Sequence, residues 1–254
     1  MIGTRCKRIR VDWIKVTLLM SLKYGVCLPT LGISLVFLTS CDIDERTGPV
    51  HTENRSVDLD QSEEVRVELK MGAGELTVRG GSPKLMDGEF RYNRPVMRPD
   101  VHYDASGFRG HLYVEQSSHG HSAGSNHWDV RLNDAKPVDL QVDFGAGEGR
   151  LELGSLNLRN IEVHMGVGQL RMDLRGTPKH DYTVNVRGGV GEATIYLPHD
   201  VGIVADATGG IGGVNARGLE KVDGRYTNSD YGHAKTTIRL DIRGGIGSIN
   251  LVTD

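Results

Sequence analysis

His119-Gly120-His121, followed by His127 and Asp129, is the densest group of metal-ligating side chains in the sequence. Imidazoles at this spacing could converge on one transition-metal ion if the loop folded back on itself. The residues around them, Ser117-Ser118 and Ser122-Ala123-Gly124-Ser125-Asn126, are small and polar. A working metal site needs rigid supporting groups, which such a segment lacks. The segment therefore reads as a solvated hairpin tip. No metal or cofactor is assigned, and weak divalent-metal binding at His119, His121 and His127 stays an open question.

A second chemistry is suggested by glycine. Gly-φ-Gly, with φ an apolar residue, occurs at 72–74, 145–147, 166–168, 189–191, 210–212 and 245–247. A phosphate-binding turn needs a strand, the glycines, and then a helix whose N-terminus faces the phosphate. Every copy here is followed by another strand-like stretch, and none completes Gly-x-Gly-x-x-Gly. Gly188-Gly189-Val190-Gly191 and its later copies also invite comparison with calcium-binding β-rolls, which need an Asp two residues after the last glycine. Ala193, Val214 and Ile249 stand there instead.

Acid–base catalysis needs two carboxylates in one cleft with separated pKa values. Glu152, Glu162, Asp173 and Asp241 occupy outward positions along strand-like segments, as a solvated sheet face would. Ser, His and Asp occur only as scattered residues without a nucleophile elbow. No catalytic residue is nominated, and the chain reads as a non-enzyme.

The elements that hold these residues are set by the repeat. Counting the first glycine as zero, apolar residues recur at −5, −3, +1, +4 and +6. The first copy gives Val67, Leu69, Ala73, Leu76 and Val78, and the last gives Leu240, Ile242, Ile246, Ile249 and Leu251. Across all copies only Gly149 breaks the pattern, although composition alone would fill about 11 of the 30 slots. Residues between the slots are mostly charged or polar, and period-two alternation of this kind marks half-buried strands. The slots change parity across the tripeptide, so the chain must bend or bulge there. Glycines stacked on glycines would let neighbouring levels close to about 4.8 Å. Successive first glycines from 145 to 210 lie 21, 23 and 21 residues apart, which accommodates two short strands and two turns per rung.

Two longer intervals read as insertions. Residues 86–135 carry alternating Phe90, Tyr92, Val101, Tyr103, Leu112 and Val114, and are expected as an extra antiparallel segment. Residues 219–236 are expected as a smaller hairpin excursion. The final copy runs to Leu251-Val252 with almost nothing after it. An uncovered last rung is a pairing hazard, so curl, covering by the 219–236 segment, or homo-oligomerisation through that terminal rung is expected.

The N-terminus supplies an address. Arg5, Lys7, Arg8, Arg10, Lys15 and Lys23 form a basic lead, and an uncharged stretch from Tyr24 runs to Leu38-Thr39-Ser40-Cys41. A basic region, a short apolar region and small residues before a cut make a secretory signal. Met20 would serve equally as its start. The ending resembles the bacterial lipoprotein signal, the lipobox, and by that resemblance Cys41 becomes the lipidated mature N-terminus. Cys6 and Cys27 would then be removed, leaving no pair for a disulfide. Residues 1–40 hold six of the 30 Lys/Arg and one of the 33 Asp/Glu, so the remainder carries a formal charge of −8. An acidic surface of this kind argues against nucleic acid.

Taken together, the expected architecture is all-β: a repeat-built β-solenoid or β-sandwich-like stack of short rungs with hairpin insertions. The expected organisation is a signal over 1–40, a flexible tether over 41–53, an N-terminal β region over 54–139 and the repeat region over 140–254. These features resemble the toast-rack lipoproteins of bacteria, and more loosely the putative-adhesin β-solenoids and the C-terminal domain of LiaF-type envelope-stress proteins. The carrying residues are Cys41, Gly48-Pro49-Val50, Val65-Arg66-Val67-Glu68-Leu69, Met71-Gly72-Ala73-Gly74-Glu75-Leu76-Thr77-Val78 and Phe144-Gly145-Ala146-Gly147-Glu148-Gly149. The resemblance implies an extracytoplasmic module tied to adhesion or cell-wall stress, anchored to a membrane by lipid and facing an unidentified envelope protein or glycan. A carbohydrate-active or glycan-binding role is the alternative, resting on fold analogy. Exposed aromatics in a row would favour it, but the repeats offer Tyr196 as the main one.

Overall fold

Alternating Val, Ile and Leu on short polar spacers can bury one face only if the chain is extended, and nearly every segment of this chain is a strand. The computed structural model describes residues 48–117 and 124–253. Its strands are β1 (His51–Val57), β2 (Glu64–Arg79), β3 (Met86–Tyr92), β4 (Pro99–Ser106), β5 (Arg109–Gln116) and β6 (Asn126–Leu132). After these come β7 (Pro137–Glu152), β8 (Asn157–Asp173), β9 (Tyr182–Leu197), β10 (Gly202–Ile211), β11 (Val214–Arg217), β12 (Glu220–Val222), β13 (Arg225–Thr227) and β14 (Thr237–Thr253). All fourteen belong to one sheet. The expected all-β stack of levels with hairpin insertions is what forms.

The levels are built more simply than expected. β2, β7, β8, β9 and β14 are single strands of 16 or 17 residues that run unbroken through the Gly-φ-Gly. Each rung is therefore one bent strand closed by one loop, rather than two strands and two turns. The bent strands pair in parallel, glycine on glycine: Gly74 with Gly147, Gly147 with Gly168, Gly168 with Gly191 and Gly191 with Gly247. The second glycine of each copy carries the bend. At Gly191, φ is +144° and an added Cβ would lie 1.7 Å from the Gly168 carbonyl oxygen, so no other residue fits.

Inside the bend, the first arm points −5, −3 and −1 inward, and the second arm points +4 and +6 inward. Val142, Phe144 and Leu151 of β7 are all buried, as are Val163, Met165, Leu170 and Met172 of β8. The parity change predicted from sequence is thus real, but the +1 residue lies outside the corner. Ala73, Ala146, Val167, Val190, Ile211 and Ile246 face solvent, contrary to their expected place in the core. The bend at the following glycine turns the arms together and leaves the φ side chain on the convex side.

The 86–135 insertion is only partly antiparallel. β3 pairs antiparallel to β1 and β6, and β4 to β5. β5 and β6, however, both run parallel to β2, one on each of its arms, and make a split level. Where that level lacks a glycine corner, two buried amides replace backbone. Gln116 Oε1 accepts the Gly72 N–H at 3.0 Å, and Asn126 Nδ2 donates to the Ala73 carbonyl at 3.2 Å. At the N-terminal side, β1 starts at His51, so the expected tether over 41–53 ends earlier than read. Its residues 41–47 and the signal over 1–40 lie outside the described residues.

The order of levels departs from chain order. β14, the last strand, lies between β9 and the split level β10/β11 and is not at the end of the stack. The expected exposed terminal rung at Leu251-Val252 is therefore interior, with Leu251 fully buried. The 219–236 segment does form a hairpin, β12–β13, but it covers β10, and only at Val204 and Ala205.

Candidate functional site

The convex side of the glycine corner gathers the features that the core does not use. Strand register places Ala73 beside Ala146, then Val167, Val190, Ile246 and Ile211. The last four are 54, 44, 53 and 72% exposed, whereas the inward slots of β7 and β8 beside them are buried. At roughly 4.8 Å per level this is a continuous apolar row about 15 Å long across four levels. Single exposed apolar residues are ordinary, whereas an in-register row is a feature that a binding surface could use.

Beside the row, the glycines leave a furrow of about 450 Å³ lined by Met71, Phe144 and Met165 and by the polar Lys70, Asp143, His164 and Arg187. His164 is bracketed by carboxylates, with Nδ1 2.7 Å from Asp143 Oδ1 and Nε2 3.3 Å from Glu162 Oε1. Its neighbours along the row are Asp143 and Arg187, so no hydroxyl or thiol nucleophile adjoins it on the paired levels. The arrangement can hold an apolar or extended surface and orient it with charge, and it lacks the parts of a nucleophilic site.

Two of the outward carboxylates, Asp241 and Asp173, are paired with arginines. Asp241 accepts from Arg187 at 3.1 Å and from Arg243 at 3.0 Å, and Asp173 from Arg175 at 2.6 Å. Hydrogen bonds from Arg175 hold the Asp173 carboxyl below its ordinary range. The Thr237 N–H and Arg239 do the same for Asp181. Ser62 and Tyr103 lower Asp60, and Arg98 and Tyr92 bring Glu53 down to about 2. Among the described residues, every carboxylate displaced from its ordinary value is displaced downward, opposite to what a general acid requires.

The remaining sequence candidates are dispersed. His127 pairs with Glu75 at 3.0 Å and Asp129 with Arg79 at 2.7 Å, so two of the would-be metal ligands have other partners. His119 and His121 lie outside the described residues, and no group of three metal-ligating side chains occurs among those described. Cys41 also lies outside them. Arg171 and Arg175 lie over the Tyr196 ring, 4.6 and 5.0 Å from its centroid, so the ring is already engaged by two cations. Sequence reasoning missed the convex row because it treated apolar as inward. The signal available was that the bend must put one residue outside.

No helix among the described residues is long and apolar enough to cross a membrane. The sequence matches the family model for the N-terminal domain of toast_rack over residues 46–196, and the one for the C-terminal region of LiaF, cell wall-active antibiotics response, over 146–251. Protein LiaF of Bacillus subtilis is 24% identical over 125 residues, covering 46% of this chain and 51% of that protein. The chain thus matches about half the length of that relative. The crystal structure of a "putative cell adhesion protein" from Clostridium sporogenes superposes with a TM-score of 0.79 at 33% identity, covering 81% of this chain and 100% of that one. The bent parallel levels, the stacked glycine corners and these matches agree: the chain belongs to the toast-rack family.

Proposed function

We propose that the protein is a non-catalytic module of the bacterial envelope, held at a membrane by lipid on Cys41 and presenting the convex glycine corner to a protein surface. The observation that carries this reading is the in-register row Val167, Val190, Ile246 and Ile211, exposed on a surface whose charged groups are otherwise largely paired with one another. A rigid stack suits such a role, since each level buries its side chains against the next and holds the row straight. The cell-adhesion name of the Clostridium sporogenes relative and the downward-shifted carboxylates both support a binding module over a hydrolase. The match to the LiaF C-terminal region supports a second reading, in which the same surface reports cell-wall stress.

Two measurements test the proposal. Labelled fatty acid should enter the wild-type chain and not Cys41→Ser, which should move from the membrane to the soluble fraction. Crosslinking in the native envelope should give a discrete protein adduct that Val190→Asp with Ile246→Asp abolishes. Equal labelling of both chains would overturn the anchor, and an adduct unchanged by the corner substitutions would overturn the surface.

A further inference from the structure

The β10/β11 level has one side covered by β14, and its other side, which β13 pairs only at Val204 and Ala205, has no strand partner from Asp206 to Ile211 or from Val214 to Arg217 among the described residues. An open strand edge offers unpaired N–H and C=O groups to another strand. The side chains at this level are small, with Ala207, Val214 and Ala216 only half-buried at the end of the core. Ile211 is 72% exposed, more than Val167, Val190 or Ile246, and no further level follows it among the described residues.

We infer that the occupant of this edge is a second copy of the chain, joined head to head about a twofold axis that bisects the bend between Ile211 and Gly212. Rotation about that axis lays the bent strand on its mate with arms exchanged and directions opposed. It sets Ala207 opposite the partner's Ala216, Thr208 opposite the partner's Asn215, and Gly209 opposite the partner's Val214. Inward residues thus meet inward residues and outward meet outward, which a shift of one residue would undo. The same register brings Asp206 to the partner's Arg217. Arg217 has no side-chain ion pair among the described residues, while Asp206 has Arg243 at 3.1 Å and room for a second cation. The edge is therefore complementary to itself in shape, parity and charge, as an isologous interface must be. The pairing also covers the end of the core and continues the apolar row from Ile211 onto the partner's Ile211.

β1 is at the far end of the stack, so head-to-head pairing sets the two β1 strands at opposite ends of the dimer, about 80 Å apart for two stacks of nine levels.

The test uses the full chain in detergent with Cys6, Cys27 and Cys41 replaced by Ser, so that association is read independently of acylation. Thr208→Cys with Asn215→Cys in one chain should give a disulfide-linked dimer on mild oxidation, and each single substitution should not. Arg217→Glu should weaken association about tenfold by opposing the partner's Asp206, and Asp206→Lys with Arg217→Glu should restore it. A monomer by sedimentation at all accessible concentrations, or equal crosslinking by single and paired cysteines, would overturn the inference. Failure of labelled fatty acid to enter the chain that retains Cys41, with the dimer intact, would overturn the anchor alone.

Discussion

The Phe144 ring fills the place that a side chain at Gly149 would need: a Cβ there would lie 2.9 Å from Phe144 Cζ and 3.0 Å from Cε1. The two residues are the last inward position before the bend and the first after it. Large and small exchange places elsewhere in the stack. At the β14 corner Gly244 faces Ile249, whose Cδ1 is 3.2 Å from an added Cβ. At these two corners one large and one small residue share the space, whereas Met165 and Leu170 are both large, and Gly188 and Ala193 both small.

Gly149→Leu alone should destabilise the fold by about 1–3 kcal/mol through overpacking. Phe144→Ala alone should cost about 3–5 kcal/mol through the cavity it leaves. Combined, the two should recover much of either loss, because the leucine enters the space that the ring vacates. Denaturant titrations of the single and double variants read the coupling, and strict additivity would show that the two side chains do not share one space.

The second glycine of each copy should tolerate nothing larger. Gly191→Ala meets both a φ of +144° and a carbonyl oxygen at 1.7 Å, so a loss of at least about 3 kcal/mol is expected. Gly107 has a φ of +64° in open space, and Gly107→Asn should change stability by less than about 1 kcal/mol. Thermal melts of the two variants separate close approach from backbone freedom.

Ile249 is buried on β14 while its neighbour Asn250 points outward and donates to Glu192 Oε1 at 2.7 Å. Ile249→Asp should therefore unfold or aggregate the chain. Asn250→Asp should fold, at a cost below about 1 kcal/mol from facing Glu192. Soluble yield and circular dichroism distinguish the outcomes, and equal effects would reverse the assigned faces.

These contrasts mark what a single sequence could convey. Slots −5, −3, +4 and +6 were legible because period-two alternation on a half-buried strand has one physical cause. The +1 slot was not, because a β-branched residue suits an extended backbone whether or not it is covered. Gly149 looked like a lapse in the pattern and is instead the complement of Phe144, a relationship five residues apart that periodicity does not encode. The interior place of β14 was equally hidden, since the levels share one register and nothing in their sequences orders them. The roles of Gln116 and Asn126 did have a signal: a level without Gly-φ-Gly beside Gly72 must satisfy that backbone some other way.

The exposure of the convex row is itself testable as stability. Val190→Thr and Ile246→Thr should change unfolding free energy by less than about 0.5 kcal/mol, because these side chains are already in water. Val186→Thr, three residues before Gly189 and buried, should cost several times more. If the Val190 and Ile246 variants were as damaging as Val186→Thr, the row would be core and the proposed surface would not exist.

β1 is fastened to the stack by a titratable clamp, and its pH dependence has a definite sign. Glu53 Oε2 accepts from Arg98 Nε at 3.1 Å and from Tyr92 Oη at 3.0 Å, and Oε1 accepts from Arg98 Nη2 at 3.1 Å. Hydrogen bonds from Arg98, then from Tyr92 and Arg55, lower its carboxyl from 4.5 to about 2. A depressed folded-state value means that the charged form is bound more tightly in the folded chain. The clamp is thus fully present above pH 4.5 and is lost as pH falls through about 2. Amide exchange over His51–Val57 should accelerate across that window, ahead of exchange in β7 and β8, which contain no such group near an edge. Glu53→Gln should make β1 exchange quickly already at neutral pH and remove the acid-dependent step. Identical exchange profiles for wild type and Glu53→Gln between pH 2 and pH 5 would show that β1 is held by its pairing to β3 and not by the Glu53 carboxylate.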